Sequence, residues 1–277
     1  MRIDAHLHVW QNAYPDRPYP WTPDPFTAED LLPLLDENEV DMAIDVSPVM
    51  VGWDNSYGNL VAQRYPDRFK VLGRFDPLQP NVEEALGSWL SSPGAVGVRL
   101  TAFRQEESRR LDSEDMQPFW KAASEAGALV AVFAPGRLAE LRFAIEPHED
   151  LTLIIDHFGL GVHAHSGDPF KGVNDLIDFA DTPNVFLKVS AMPEVSNEGY
   201  PFRDMHSHLE WALSEFGANR LIWGSNWPVE SRDCTYRESY TWIIDSGVAT
   251  EAETAWMLGG TIEQLLHVSG PQERKGD

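Results

Sequence analysis

Two histidines one residue apart stand near the start of the chain, His6-Leu7-His8 in RIDAHLHVW. Residues i and i+2 of a strand project to one face about 6.6 Å apart. Two imidazoles so placed can converge on one metal ion at about 2.1 Å. The same pair also suits two loop histidines with ordinary hydrogen bonds. His157 directly follows the apolar run LTLIID. A neutral histidine at a strand end serves as a zinc ligand or a general base, and a hydrogen-bonded rim histidine is the other reading. Its neighbour Asp156 is expected on the opposite side of the strand. Asn226 follows LIWGS. An aspartate there would bind a metal and activate water; an asparagine offers a weak oxygen ligand and cannot take a proton near neutral pH.

Further polar groups fall at similar places. Arg99, in VGVRLT, can hold a carboxylate or polarise a carbonyl in bidentate fashion, or pair with one of the many internal acids. Arg74 and Asp76 are open to the same two readings. His206 and His208, in YPFRDMHSHLEW, repeat the H-x-H pattern on a helical segment. There, i and i+2 diverge by about 200°, so chelation of one ion is not expected, while an acid–base or substrate role is. Asp204 and His208 are spaced to pair. A third H-x-H, His163 and His165, lies in the Gly-rich run GLGVHAHSGDP and reads as a polar loop. Trp10, Trp21, Trp53, Tyr57, Phe158, Tyr200 and Trp227 fall in or near loops, where they suit pocket walls or loop packing. Of these, Trp10, Trp53, Tyr200 and Trp227, together with Arg74, are the expected substrate contacts.

The elements that must position these groups alternate regularly. Apolar, β-rich runs occupy residues 2–8, 41–47, 69–75, 95–101, 128–133, 151–156, 184–190 and 220–224. Most lack strict alternation, as strands buried on both faces do. Helical patterns lie between them: AEDLLPLLDEN after a Thr27 cap with Asp30 three residues on, then 55–65, 82–90, SEDMQPFWKAASEAG after Asp112, 137–145, 173–180, 203–216 and 236–245. A closing pair covers 251–258 and 261–267. Eight strands each followed by a helix in about 250 residues is the count of a (β/α)8 barrel, whose sites sit at the C-terminal strand ends. A doubly wound sheet would usually carry a Gly-rich turn after the first strand, and none is present.

Composition narrows the classes. Of 277 residues, 21 are Lys or Arg and 44 Asp or Glu, a formal charge of −23 that opposes nucleic acid and anionic membranes. The hydrophobic share of 43% is too high for a disordered acidic chain. One cysteine, Cys234, excludes an intrachain disulfide and a Cys-rich zinc module. No apolar run approaches the roughly 20 residues of a membrane span, and MRIDAHLHVW does not read as a signal peptide. A single-domain cytoplasmic protein acting on a small molecule is expected, as a monomer or a homo-oligomer.

Taken in order, IDAHLHVW, RYPDRFKVLGRFDP, VGVRL, LIIDHFG, NVFLKVSAM, YPFRDMHSHL and WGSNWP resemble the amidohydrolase superfamily. The similarity is to its amidohydrolase-2 branch, which includes sugar lactonases, dicarboxylate lactone hydrolases and some non-oxidative decarboxylases. The similarity runs from Arg2 to about Val268. It implies a (β/α)8 barrel hydrolase acting on a lactone or related cyclic ester. It implies that His6 and His8 line the position of a divalent metal, expected to be zinc. His157 is then a third ligand, or the group that orients the attacked carbonyl. Asn226 departs from the branch's usual aspartate, which leaves His157 or one of His206 and His208 as the base. Lys188, in FLKVS, need not act as the bridging lysine of binuclear relatives. A decarboxylase on the same barrel, or a barrel that no longer hydrolyses because Asn226 replaces the acid, are the competing readings.

Overall fold

The computed structural model describes residues 1–15, 24–102, 111–161, 170 and 172–268. Trp21, His163 and His165 lie outside these. Eight parallel strands form one sheet in sequential order: β1 Ile3–Leu7, β2 Met42–Val46, β3 Phe69–Arg74, β4 Ala95–Thr101, β5 Leu129–Phe133, β6 Thr152–Ile155, β7 Val185–Val189 and β8 Leu221–Trp223. Helices alternate with them: α1 Ala28–Glu37, α2 Ser56–Arg64, α3 Val82–Leu90, α4 Gln117–Glu125, α5 Leu138–Ile145, the short α6 Met192–Val195, α7 His206–Phe216, α8 Glu238–Asp245, α9 Glu251–Ala255 and α10 Thr261–Val268. This is the expected (β/α)8 barrel. No helix among the described residues is long and apolar enough to cross a membrane.

Local chemistry accounts for most boundaries. Thr27 and Asp30 form the capping box of α1, with the Asp30 N–H donating to Thr27 Oγ1 and the Thr27 N–H donating to Asp30. Other elements depart from the sequence pattern. The segment after β6 is a 3-10 helix, Val173–Phe179, and a 3-10 turn at Glu114–Met116 precedes α4, so the N-cap position of α4 is Met116 and that of the turn Ser113, not Asp112. The expected 251–258 helix is α-helical only to Ala255 and runs on as a π-helical turn, Trp256–Gly260, and the expected break before 261 falls at Gly259, where a Cβ would stand 2.1 Å from the Met1 carbonyl oxygen.

The barrel interior is filled by Ile3, Ala5, Ile44, Val46, Leu72, Leu129, Ala131, Ile154 and Ile222, with Ile262 and Leu265 of α10 packed against them. The alternate residues face the helices. A register shift between Asp4 and Leu7 interrupts the alternation of β1, so Ala5 and His6 both face inward.

Backbone bonds close the barrel where chemistry is expected. The Asn226 N–H donates to the His6 carbonyl (2.7 Å) and the His8 N–H to the Trp227 carbonyl (2.8 Å). Behind this seam the buried Asp4 carboxylate accepts from the His6 N–H (3.1 Å), the Ser225 N–H (2.9 Å) and the Tyr236 hydroxyl (2.8 Å). Gly224 is needed for the close approach, since a Cβ there would lie 2.5 Å from His6 Cβ. Gly224→Ala is therefore expected to cost about 1–3 kcal/mol through overpacking, read as a lower urea midpoint, and to displace His6.

Asp45 on β2 is buried and accepts from the Val9 N–H (3.2 Å), with Gly58 of α2 packed on its other oxygen. Burial pushes its carboxyl up to about 7. The native state therefore holds a proton that the unfolded chain releases near pH 4. Stability from this group is full below that pH and is lost as pH rises through about 7, at about 1.4 kcal/mol per unit. Asp45→Asn, which keeps the acceptor, should gain stability relative to the parent as pH is raised from 5 to 8, measured by urea unfolding at each pH.

Candidate active site

Alternation along the strands brings four polar side chains into the upper barrel: Arg99 from β4, Asp156 just past β6, Lys188 from β7 and His6 from β1. All are buried. Asp156 is the hub. Lys188 Nζ lies 2.8 Å from its Oδ1, Arg99 Nε donates to its Oδ2 at 3.2 Å, and His6 Nδ1 lies 3.5 Å from Oδ1. Burial alone would raise the Asp156 pKa, but Lys188, His6 and Arg99 outweigh it and hold the carboxyl well below its ordinary range. Burial lowers the Lys188 pKa, and Asp156 opposes that shift. The sequence placed Asp156 on the far side of its strand and left Lys188 open. Both point inward.

Three imidazoles stand above this cluster. The ring centroids of His6 and His8 are 5.0 Å apart, and those of His6 and His157 4.5 Å. His8 and His157 are hydrogen-bonded at Nδ1, while His6 Nδ1 lies near Asp156 without a hydrogen bond. His6 Nδ1 faces Asp156, His8 Nδ1 lies 2.6 Å from the Val46 carbonyl oxygen, and His157 Nδ1 lies 2.9 Å from Ser190 Oγ. Metal-binding histidines are commonly oriented in this way, by one nitrogen on a carboxylate, carbonyl or other polar group. Burial, then the Lys188 charge, push His6 down to about 3, and burial also holds His8 well below its ordinary value. Both are neutral at pH 7, with lone pairs to offer.

His157 (φ 52°) and Phe158 (φ 56°) are both left-handed, as is Asn226 (φ 53°). Such backbone is rare outside glycine and recurs at functional sites. Here it breaks the strand alternation after Ile155, so Asp156 and His157 both reach the site. Asn226 Oδ1 lies 3.3 Å from His8 Nε2.

Arg74 is buried at the rim, with Nη1 3.4 Å from Thr101 Oγ1 and its guanidinium over the Trp53 ring. Trp53 is 49% exposed. It lines a cleft of about 530 Å³, open mouth included, with Phe75, Asp76, Leu100, Thr101, Leu111 and Met116. Arg99 also lies beneath the Phe133 ring.

Other expected residues sit elsewhere. Trp10 is 1% exposed, packs with Val49, Met50 and Val229, and donates Nε1–H to the Asp24 carbonyl; it is loop packing, not an open pocket wall. The Tyr200 hydroxyl bonds Asp245 and Thr241 on α8. His206 bonds the Pro201 carbonyl and stacks near Trp242, and His208 stacks on Phe170. Their partners belong to the outer layer and the loops, not to the imidazole group. Trp227 is half-buried, its ring edge-on to Tyr236. Sequence reasoning missed Ser190 and Glu230. The latter is a buried acid one turn past Asn226, and the spacing N-x-x-x-E was the signal available.

A parallel eight-stranded barrel with ionisable groups gathered at its C-terminal strand ends is an enzyme architecture. The family model for amidohydrolases matches residues 3–268; the chain belongs to that family and is a hydrolase. It is 32% identical to a 4-sulfomuconolactone hydrolase of Rhizobium radiobacter, over 81% of this chain and 75% of the relative. It is 27% identical to an L-fucono-1,5-lactonase of Burkholderia ambifaria, over 87% and 85% of the two chains. A crystal structure of an amidohydrolase from Burkholderia multivorans with bound zinc superposes with a TM-score of 0.82, at 21% identity over 96% and 99% of the chains.

Proposed function

We propose that this hydrolase opens a lactone by attack of water on the ring carbonyl. The observation that carries the reading is the trio of imidazoles, His8 and His157 held at Nδ1 and His6 beside Asp156, gathered with Arg99, Asp156 and Lys188. Two curated relatives named for lactones support it.

The residues fit a divalent cation such as zinc. His6 Nε2 is buried without a hydrogen bond among the described residues. His8 Nε2 and Asn226 Oδ1 stand 3.3 Å apart. Among the described residues no three His, Cys, Asp or Glu side chains form a metal-holding group on their own; the donors in this reading are His6 and His8, with the Asn226 oxygen beside His8 and His157 next to His6. Bound there, a divalent ion would supply Lewis acidity to a carbonyl or to water.

The remaining work falls to side chains. His157, held by Ser190, takes the proton of the attacking water at Nε2 and returns it to the ring oxygen as the acyl–oxygen bond breaks. Arg99 stabilises charge developing on the carbonyl oxygen. Asp156 fixes Arg99, His6 and Lys188 in one geometry. Arg74 and Trp53 hold the far side of the ring over the apolar cleft. His206 and His208 have outer partners, which leaves His157 as the base. A charge of −23 does not hinder a neutral lactone, and it favours departure of the acid product.

The test is proton release by purified protein on a panel of neutral and anionic lactones, with and without added zinc. Hydrolysis well above the buffer rate on at least one lactone is expected; no hydrolysis across the panel would rule the reading out.

A further inference from the structure

Lys188 takes no part in the steps proposed for hydrolysis. It is fully buried on β7, and its Nζ lies 2.8 Å from Asp156 Oδ1. His6 Nδ1 lies 3.5 Å from that same oxygen. One carboxylate atom thus stands between an ammonium and a ring that would hold a cation. The other oxygen, Oδ2, accepts from Arg99 Nε at 3.2 Å.

This arrangement decides how much negative charge a divalent ion would find. Imidazole and amide donors bring none. Asp156 is the acid paired with the His6 ring, and two cations already share it. The other buried acids among the described residues are Asp4, Asp45 and Glu230. Burial pushes all three carboxyls up, so they add less charge than their number suggests. A divalent ion leaving water for such a cluster needs a counter-charge close by. Lys188 already holds the one beside His6.

We propose that Lys188 sets the cation affinity of the histidine site: its ammonium takes up the Asp156 charge that a divalent ion on His6 and His8 would otherwise draw on, and so keeps such an ion weakly bound and exchangeable. This rests on the reading of His6 and His8 as donors. Lys188 touches neither cation nor substrate; it acts through Asp156 and through space. At an effective dielectric constant of about 20, removing a unit charge this close changes the binding of a dication by more than about tenfold.

The test is the zinc affinity of purified full-length protein, measured by competition with a chromophoric chelator, with circular dichroism as the fold control. Lys188→Met removes the charge. Lys188→Gln also removes it and keeps a donor for Asp156, so it serves if the Met variant does not fold. Both should bind zinc at least about tenfold more tightly than the parent. Lys188→Arg, which keeps the charge, should stay within about threefold. Adding Asp156→Asn to Lys188→Met should cancel the gain. Parent-like or weaker affinity in a folded neutral variant, equal tightening in the Arg variant, or a gain that survives Asp156→Asn overturns the proposal. So does the absence of measurable binding in the parent and both neutral variants. The donor reading is separated by adding His6→Gln to Lys188→Met: unchanged affinity would place the ion elsewhere and overturn that reading, and the proposal with it. None of these measurements needs a lactone to be hydrolysed, so failure of the hydrolase reading is seen independently.

Discussion

Asp156→Asn is expected to lower the free energy of unfolding by about 3–5 kcal/mol, the usual cost of breaking a buried ion pair by removing one partner. The carboxylate meets Lys188 at 2.8 Å, Arg99 at 3.2 Å and His6 at 3.5 Å, all buried. An amide in its place accepts fewer bonds and leaves two buried cations without a counter-charge. Since burial already lowers the Lys188 pKa, part of the cost would be met by Lys188 losing its proton. Adding Lys188→Met should then recover much of the loss, because replacing a whole buried pair with apolar groups is often neutral. Asp156 sits well below its ordinary pKa in the fold. Its contribution is therefore complete above the unfolded value near 3.9 and lost only as pH falls through the folded value. The carboxylate itself therefore adds no pH dependence between pH 5 and 8, and to the extent that Lys188 loses its proton in the Asn variant the deficit should shrink as pH rises, because the unfolded chain keeps that proton. Urea unfolding of parent, single and double variants measures all of this; a single-variant loss below about 1 kcal/mol would show that Asp156 is not the hub.

The second large effect is on turnover. His157→Asn should reduce kcat by about 10²–10⁴, the usual contribution of a positioned acid–base group, with a much smaller change in KM. Asparagine is the suitable replacement because residue 157 has φ 52° and asparagine tolerates left-handed backbone better than most residues. Loss of the Ser190 contact should cost stability only about 1 kcal/mol, so a folded but slow enzyme is expected. Steady-state rates by proton release decide it. A kcat within threefold of the parent would pass the base role to another group.

The barrel was legible because its strands are apolar runs at regular spacing, and all eight lie where the runs are. The His6–His8 pair was legible as a shared face, although what turns both inward is a register shift between Asp4 and Leu7 that no sequence pattern announces. Asp156 and His157 show the limit most clearly. Strict alternation assigns neighbours to opposite sides, and left-handed backbone at His157 and Phe158 sends both to the site. Lys188 was visible as a lone charge in FLKVS, but its direction depends on which residue of β7 begins the inward series. Glu230 was hidden because a short 3-10 helix, Val229–Arg232, folds it back beside Asn226. His206 and His208 suited chemistry by type, and the partners the structure gives them are Pro201, Trp242 and Phe170.

Isotope incorporation during turnover tests the central claim most directly. Purified protein is given a hydrolysed lactone in oxygen-18 water, and the hydroxy-acid product is fragmented in a mass spectrometer. Water attack on the ring carbonyl places one heavy oxygen in the carboxyl group and none in the hydroxyl. Label in the hydroxyl, or an unlabelled product, would contradict carbonyl attack by water at the His6, His8 and His157 site.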